Sequence, residues 1–97
     1  MTNIIAINPF EVAPGAEAQA LKIWDRVAEF MNRQPGFVSA KLHQSLDPNA
    51  KFHLVTVAEW ASAEHFMGML ASDGLKDAAK GMEAFPHYPG LYQVIRT

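Results

Sequence analysis

Asn3-Ile4-Ile5-Ala6-Ile7-Asn8-Pro9-Phe10-Glu11-Val12 is the stretch that decides the fold. Its β-branched residues predict a strand, and strand alternation divides it into two faces. Ile4, Ala6, Asn8, Phe10 and Val12 lie on one; Ile5, Ile7, Pro9 and Glu11 lie on the other. Both are largely apolar, which implies a sheet covered on both sides. Pro9 lacks a ladder donor and must sit at an edge or where pairing breaks. Asn8 is the anomaly, an amide among apolar neighbours. A buried amide without a partner costs about 1–3 kcal/mol, so protein, water or ligand must satisfy it.

Working outward, Pro14-Gly15 breaks the strand and residues 16–33 read as a helix. Ala20, Ile23, Trp24, Val27, Phe30 and Met31 recur at three- and four-residue spacing, with Lys22, Asp25, Arg26, Glu29 and Arg33 opposite. Pro35-Gly36 stops it. Residues 37–46 and 52–60 predict a hairpin around the turn Asp47-Pro48-Asn49-Ala50. On its second strand Phe52, Leu54, Thr56, Ala58 and Trp60 share a face, and His53, Val55, Val57 and Glu59 take the other. Ser62 is a candidate helix cap for residues 63–71, with Glu64 in the first turn. Ser72-Asp73-Gly74 is read as a break, residues 75–82 as another helical stretch, and residues 91–96 as the last strand.

The order β-α-β-β-α-β, its second helix broken in two, is the split βαβ pattern. It predicts an α+β, ferredoxin-like domain over residues 1–97, with two helices on one face of a four-stranded antiparallel sheet. The other face carries Ile5, Ile7, Val55 and Val57, more aliphatic surface than a monomer usually shows. A second copy packing sheet to sheet would cover it, so a homodimer is expected. The size of the chain agrees. Ninety-seven residues bury a modest core, and without cysteine no disulfide or thiolate metal site supplements it. Oligomerisation is the remaining common source of stability.

Eight Lys and Arg are scattered singly and the formal charge is −2, which disfavours nucleic acid as a partner. The N-terminal residues lack the basic flank and apolar run of a signal peptide, and no stretch reaches membrane length. A cytoplasmic protein with no membrane partner is expected.

The four histidines, His43, His53, His65 and His87, show no metal-ligand spacing, so no metal is expected. His53 alternates toward the presumed dimer face, which favours an interface role, and a helix-borne His65 is more often solvent-exposed. His43 and His87 are candidates for a pocket mouth, His being the side chain that titrates near neutral pH. Tyr88 and Tyr92 are candidate hydroxyl donors. Phe10, Trp24, Trp60, Phe66 and Met69 suit plain packing, and equally the wall of a pocket for a flat aromatic ligand. Glu59 is most simply explained by an ion pair across the dimer. No Ser-His-Asp set, phosphate loop or nucleotide fingerprint is present.

Phrases along nearly the whole chain, in order, resemble the antibiotic biosynthesis monooxygenase family of dimeric α/β barrels. They are Asn8-Pro9-Phe10-Glu11-Val12 with Pro14-Gly15; Gln34-Pro35-Gly36-Phe37 with Leu42-His43-Gln44-Ser45; Glu59-Trp60-Ala61-Ser62 leading to Phe66; Leu70-Ala71-Ser72; and Tyr92-Gln93-Val94. The resemblance implies a pocket between the helices and the sheet. Some members oxidise aromatic polyketides or quinols with O₂ and no cofactor; others bind and degrade haem. The haem-degrading branch is similar in an Asn on its first strand, matched by Asn8. Its helical Trp and His are replaced here by Met69 and Ala79, so haem is disfavoured and no cofactor is expected. The expected activity is a small monooxygenase acting on an aromatic or quinol-like molecule. Asn8 would orient a carbonyl or oxygen, and one of His43, His65, His87 or Tyr88 would assist deprotonation. Phe10, Trp24, Trp60, Phe66, Met69 and Tyr92 would form the binding wall.

Overall fold

β1 (Ile4–Phe10) forms where the β-branched residues favour it; Ala6 and Phe10, on the helix-facing side, are buried and its other residues are half-buried. A computed structural model describes residues 3–97. The chain continues through α1 (Glu17–Asn32), β2 (Phe37–Gln44), β3 (Leu54–Trp60), α2 (Ala63–Leu70), α3 (Asp73–Ala78), a 3₁₀ turn (Met82–Ala84) and β4 (Gly90–Tyr92). The sheet is antiparallel in the order β2-β3-β1-β4. This is the ferredoxin-like α+β fold.

β1 pairs with β3 along its length, from Ile4 opposite Trp60 to Phe10 opposite Leu54. β4 covers only Ile5 to Ile7 on the other side. Beyond Ile7 a connector replaces β4: Tyr88 N–H donates to Pro9 O (3.2 Å) and Glu11 N–H to Pro86 O (2.8 Å). Within a strand a residue's N–H and C=O point to the same side, so the donor that Pro9 lacks faces this connector and not β3.

α1 buries Ala20, Ile23 and Met31 against the sheet. Its exit turns at Gly36, where φ is +80°. A Cβ there would run into the His65 ring, so Gly36 is needed for both the turn and the close approach. Ser62 caps α2, accepting from His65 N–H at 3.2 Å.

Three boundaries differ from expectation. The hairpin connection spans residues 45–53 because side chains stabilise a wider turn: Asn49 N–H donates to the Asp47 carboxylate (2.9 Å) and Asp47 N–H to Ser45 Oγ (3.1 Å). Asp73 and Gly74 do not break the helical run but open α3, since Ser72 caps it by accepting from Leu75 N–H. Gly74 is there because the Phe30 ring occupies the space a Cβ would need. β4 is three residues long, and the chain after Tyr92 leaves Val94 and Ile95 exposed at the sheet edge.

On the helix-facing side of the sheet the core forms two clusters. Ala6, Met31, Ala58, Trp60, Phe66 and Met69 make one; Phe10, Ala20, Ile23, Leu54 and Phe85 make the other. The opposite side carries Ile5, Ile7, Val55 and Val57, each half-buried within the single chain. The Cα extents of 41 × 35 × 16 Å are those of two layers. Among the described residues, no helix is long and apolar enough to cross a membrane.

Candidate functional site

The two clusters are bridged by Val27 of α1. Between them, over the middle of β1 and β3 and under α1, α2, α3 and the 3₁₀ turn, lies a cavity of about 160 Å³. Asn8 and Thr56 sit directly opposite each other on its floor. They are the two polar residues in an otherwise apolar alternation, and both face the helices. Thr56 is buried, and its Oγ1 accepts from Trp24 Nε1–H at 3.0 Å, tying α1 to the sheet.

Two polar atoms in the cavity wall are shielded from solvent and have no protein partner: Asn8 Oδ1 and Trp60 Nε1. Trp60 is fully buried, with Phe37 and Phe66 packed edge-on at 5.3 and 5.8 Å. Such packing fixes the indole but leaves its N–H unanswered. Each unanswered group costs about 1–3 kcal/mol, and native interiors hold few of them. Both residues contribute to the cavity wall, Trp60 through a side chain with no exposed surface.

His87 is the titratable side chain at the rim. It forms an isolated bridge opposite Phe10, so it shares the helix-facing side, and its ring lies 5.4 Å from that of Phe10. Its Nδ1 is 2.8 Å from Phe85 O. A carbonyl only accepts, so Nδ1 carries a hydrogen, and in the neutral ring Nε2 is the acceptor.

Of the residues expected at the site, Asn8, Phe10, Trp24, Trp60, Phe66, Met69 and His87 line the cavity. Ala79 lines it too. The other four candidates lie elsewhere. His43 is on the opposite side of the sheet, paired with Val55 and 3.2 Å from its carbonyl. His65 sits at the start of α2, its Nδ1 2.7 Å from Ser62 Oγ. Tyr88 follows His87 and so points the other way; it donates to Glu11 at 2.6 Å and packs against Phe52. That hydrogen bond, then desolvation and the charge of Glu11, hold its phenol above the ordinary value of 10.0. Tyr92 pairs with Ile5 and shares its side, away from the cavity. Thr56 is the polar residue that sequence reasoning passed over, although the alternation on β3 already placed it on the same side as Trp60. Among the described residues, no three of His, Asp and Glu converge to hold a metal ion.

Residues 3–81 match the profile of the antibiotic biosynthesis monooxygenase family. The backbone superposes with a TM-score of 0.84 on a candidate monooxygenase from Shewanella loihica PV-4, 35% identical over 99% of this chain and 97% of that one. It superposes with 0.86 on SnoaB, a cofactor-independent oxygenase from Streptomyces nogalater, 28% identical over 100% and 97% of the two chains. A conserved protein from Methanosarcina mazei Go1, 16% identical, shares the fold with a TM-score of 0.82 over 95% and 92%. No curated protein matches the chain. With a family profile matched over most of its length, the chain belongs to the antibiotic biosynthesis monooxygenase family.

Proposed function

We propose that this protein is a small monooxygenase that works without a bound cofactor and oxidises an aromatic or quinol-like molecule with O₂ in the cavity beside Asn8. The observation that carries the reading is the unpartnered Asn8 Oδ1 in an otherwise apolar wall. It would accept from a substrate hydroxyl and orient it where water does not compete. The cofactor-independent activity named for SnoaB supports it.

In this reading His87 Nε2 accepts a proton from the substrate at the rim. The resulting phenolate or enolate is electron-rich enough to reduce O₂ directly. For a hydroquinone, one oxygen atom forms a new C–O bond on the ring and the other leaves as water. The ring passes from quinol to hydroxyquinone, so all four electrons taken by O₂ come from the substrate. The apolar wall keeps solvent from the reacting anion. The working unit is a homodimer, a second copy covering Ile5, Ile7, Val55 and Val57.

O₂ uptake with a panel of hydroquinones and anthrones tests the activity. Turnover of at least one is expected, and Asn8→Ala lowers it by about ten-fold, the scale of losing one hydrogen bond that orients the substrate hydroxyl. No uptake across the panel would sink the reading.

A further inference from the structure

We infer that residues 70–84 form a hinged lid over the cavity, latched to α1 by Arg26, and that a ligand reaches Asn8 when the lid opens. The lid stands on its packing alone; its part in admitting ligand rests on the reading of the cavity as the ligand site.

Something must move before Asn8 can be used. Its Oδ1 has essentially no surface open to solvent, so in the closed arrangement even water does not touch it. A ligand hydroxyl therefore meets it only after part of the wall gives way. β1 and β3 are the two inner strands of the sheet, and α1 and α2 each hold buried side chains against the core. The segment between α2 and the connector differs. Met69 before it and Phe85 after it are buried, yet no side chain from 70 to 84 is. Leu75, Ala79 and Met82, which it contributes to the cavity wall, are only half-buried. Few buried apolar contacts are the mark of a segment that opens well below the free energy of global unfolding.

The contacts of this segment with α1 are of a kind that part easily. At Gly74 its backbone lies against the Phe30 ring, and at Gly81 it approaches Ile23. Neither glycine has a side chain to interlock with α1. Gly81 also supplies a joint between α3 and the 3₁₀ turn, with φ at +97°. Among the described residues, the hydrogen bonds from this segment to a distant element all come from one side chain. Arg26 Nε donates to Ala78 O at 3.2 Å, and its Nη2 donates to Lys80 O at 2.6 Å. These carbonyls lie at and just beyond the C-terminal end of α3, where a cation is favoured. The planar fork of the guanidinium spans both, which a compact ammonium does less well. Arg26 is exposed and forms no part of the cavity wall, so it is a positioning residue that acts through the lid.

Hydrogen exchange and acrylamide quenching of the full-length protein test the lid and the gate separately. The Ala79 and Met82 amides are bonded at 2.8 Å to Leu75 O and Ala79 O. Corrected for intrinsic rates, they are expected to exchange at least about ten-fold faster than the amides of β3 in the unmutated protein. Arg26→Met keeps the alkyl stem and removes the latch. It should speed lid exchange a further ten-fold or so and leave β3 unchanged, the scale of losing one charge-assisted hydrogen bond. Arg26→Lys should fall between the two. Lys76→Met removes an ion pair within the lid and should leave both rates unchanged. Both tryptophans of the chain, Trp24 and Trp60, line the cavity, so quenching of their fluorescence by acrylamide reads access to it. Quenching should rise in Arg26→Met and not in Lys76→Met. Lid and β3 amides exchanging alike in the unmutated protein would overturn the lid. No change in Arg26→Met, or equal acceleration of β3, would overturn the latch. Faster lid exchange without more quenching would overturn the gate. The expected exchange and quenching without O₂ uptake keep the gate and sink the oxygenase; uptake with lid and β3 exchanging alike does the reverse.

Discussion

The flanks of the sheet's helix-facing side and its middle are built from the same two strands, yet one part is filled and the other is not. At the flanks, large side chains meet: Trp60 with Phe37 and Phe66, and Phe10 with Ile23, Leu54 and Phe85. In the middle, Asn8 and Thr56 stand where an apolar pair would have drawn the helices down, and the roof over them is broken into α2, α3 and a 3₁₀ turn. The flanks hold the fold; the middle holds a vacancy with polar edges. The difference teaches how so small a domain can keep a cavity at all, since its aromatic residues concentrate on either side of it.

Substitutions on the two sides should therefore behave differently. Phe66→Ala removes part of a filled flank, and a loss of about 3–5 kcal/mol is expected in chemical denaturation. A loss below about 1 kcal/mol would mean that the flank is no better packed than the middle. Thr56→Val keeps the shape but removes the acceptor for Trp24 Nε1–H. Leaving that donor unpaired costs about 1–3 kcal/mol, read from the same denaturation curves. A neutral result would show that the middle tolerates loss of its one internal side-chain bond.

The smallest effect belongs to Tyr88, on the exposed back of the connector that carries His87. The Glu11 carboxylate raises its pKa above 10.0, so the contact is fully present below that pH and is lost as pH rises through the raised value. Tyr88→Phe should lower the melting temperature slightly at pH 8, and the gap between the two proteins should close above pH 10. A gap that widened with pH would put the stabilisation in some other contact.

Much of this was readable in the chain. The alternation of β1 placed Asn8 toward the helices, and the alternation of β3 did the same for Trp60. The periodicity of α1 named the residues it buries. What could not be read depended on phase and on distant partners. Phe37 packs on Trp60, and simple alternation from Phe37 would carry His43 to that same side. A register shift between Phe37 and Ser39 reverses the phase, so Ala40 and Leu42 face inward and His43 outward. Gly74 resembles a breaker until the Phe30 ring against it is seen. The bond from Trp24 to Thr56 joins residues 32 apart in sequence, and nothing local announces it. His87 and Tyr88 are neighbours in sequence, and only the bridge to Phe10 decides which of them faces the cavity.

The account turns on Asn8 being placed for a ligand at the expense of the fold. The melting temperature of Asn8→Leu tests this most directly. With Oδ1 unpartnered and space beside it, an apolar side chain removes a cost of about 1–3 kcal/mol and fills part of the vacancy, so the variant should melt at a higher temperature than the unmutated protein. A lower melting temperature would contradict the account, because it would make Asn8 a structural amide whose partner lies within the protein.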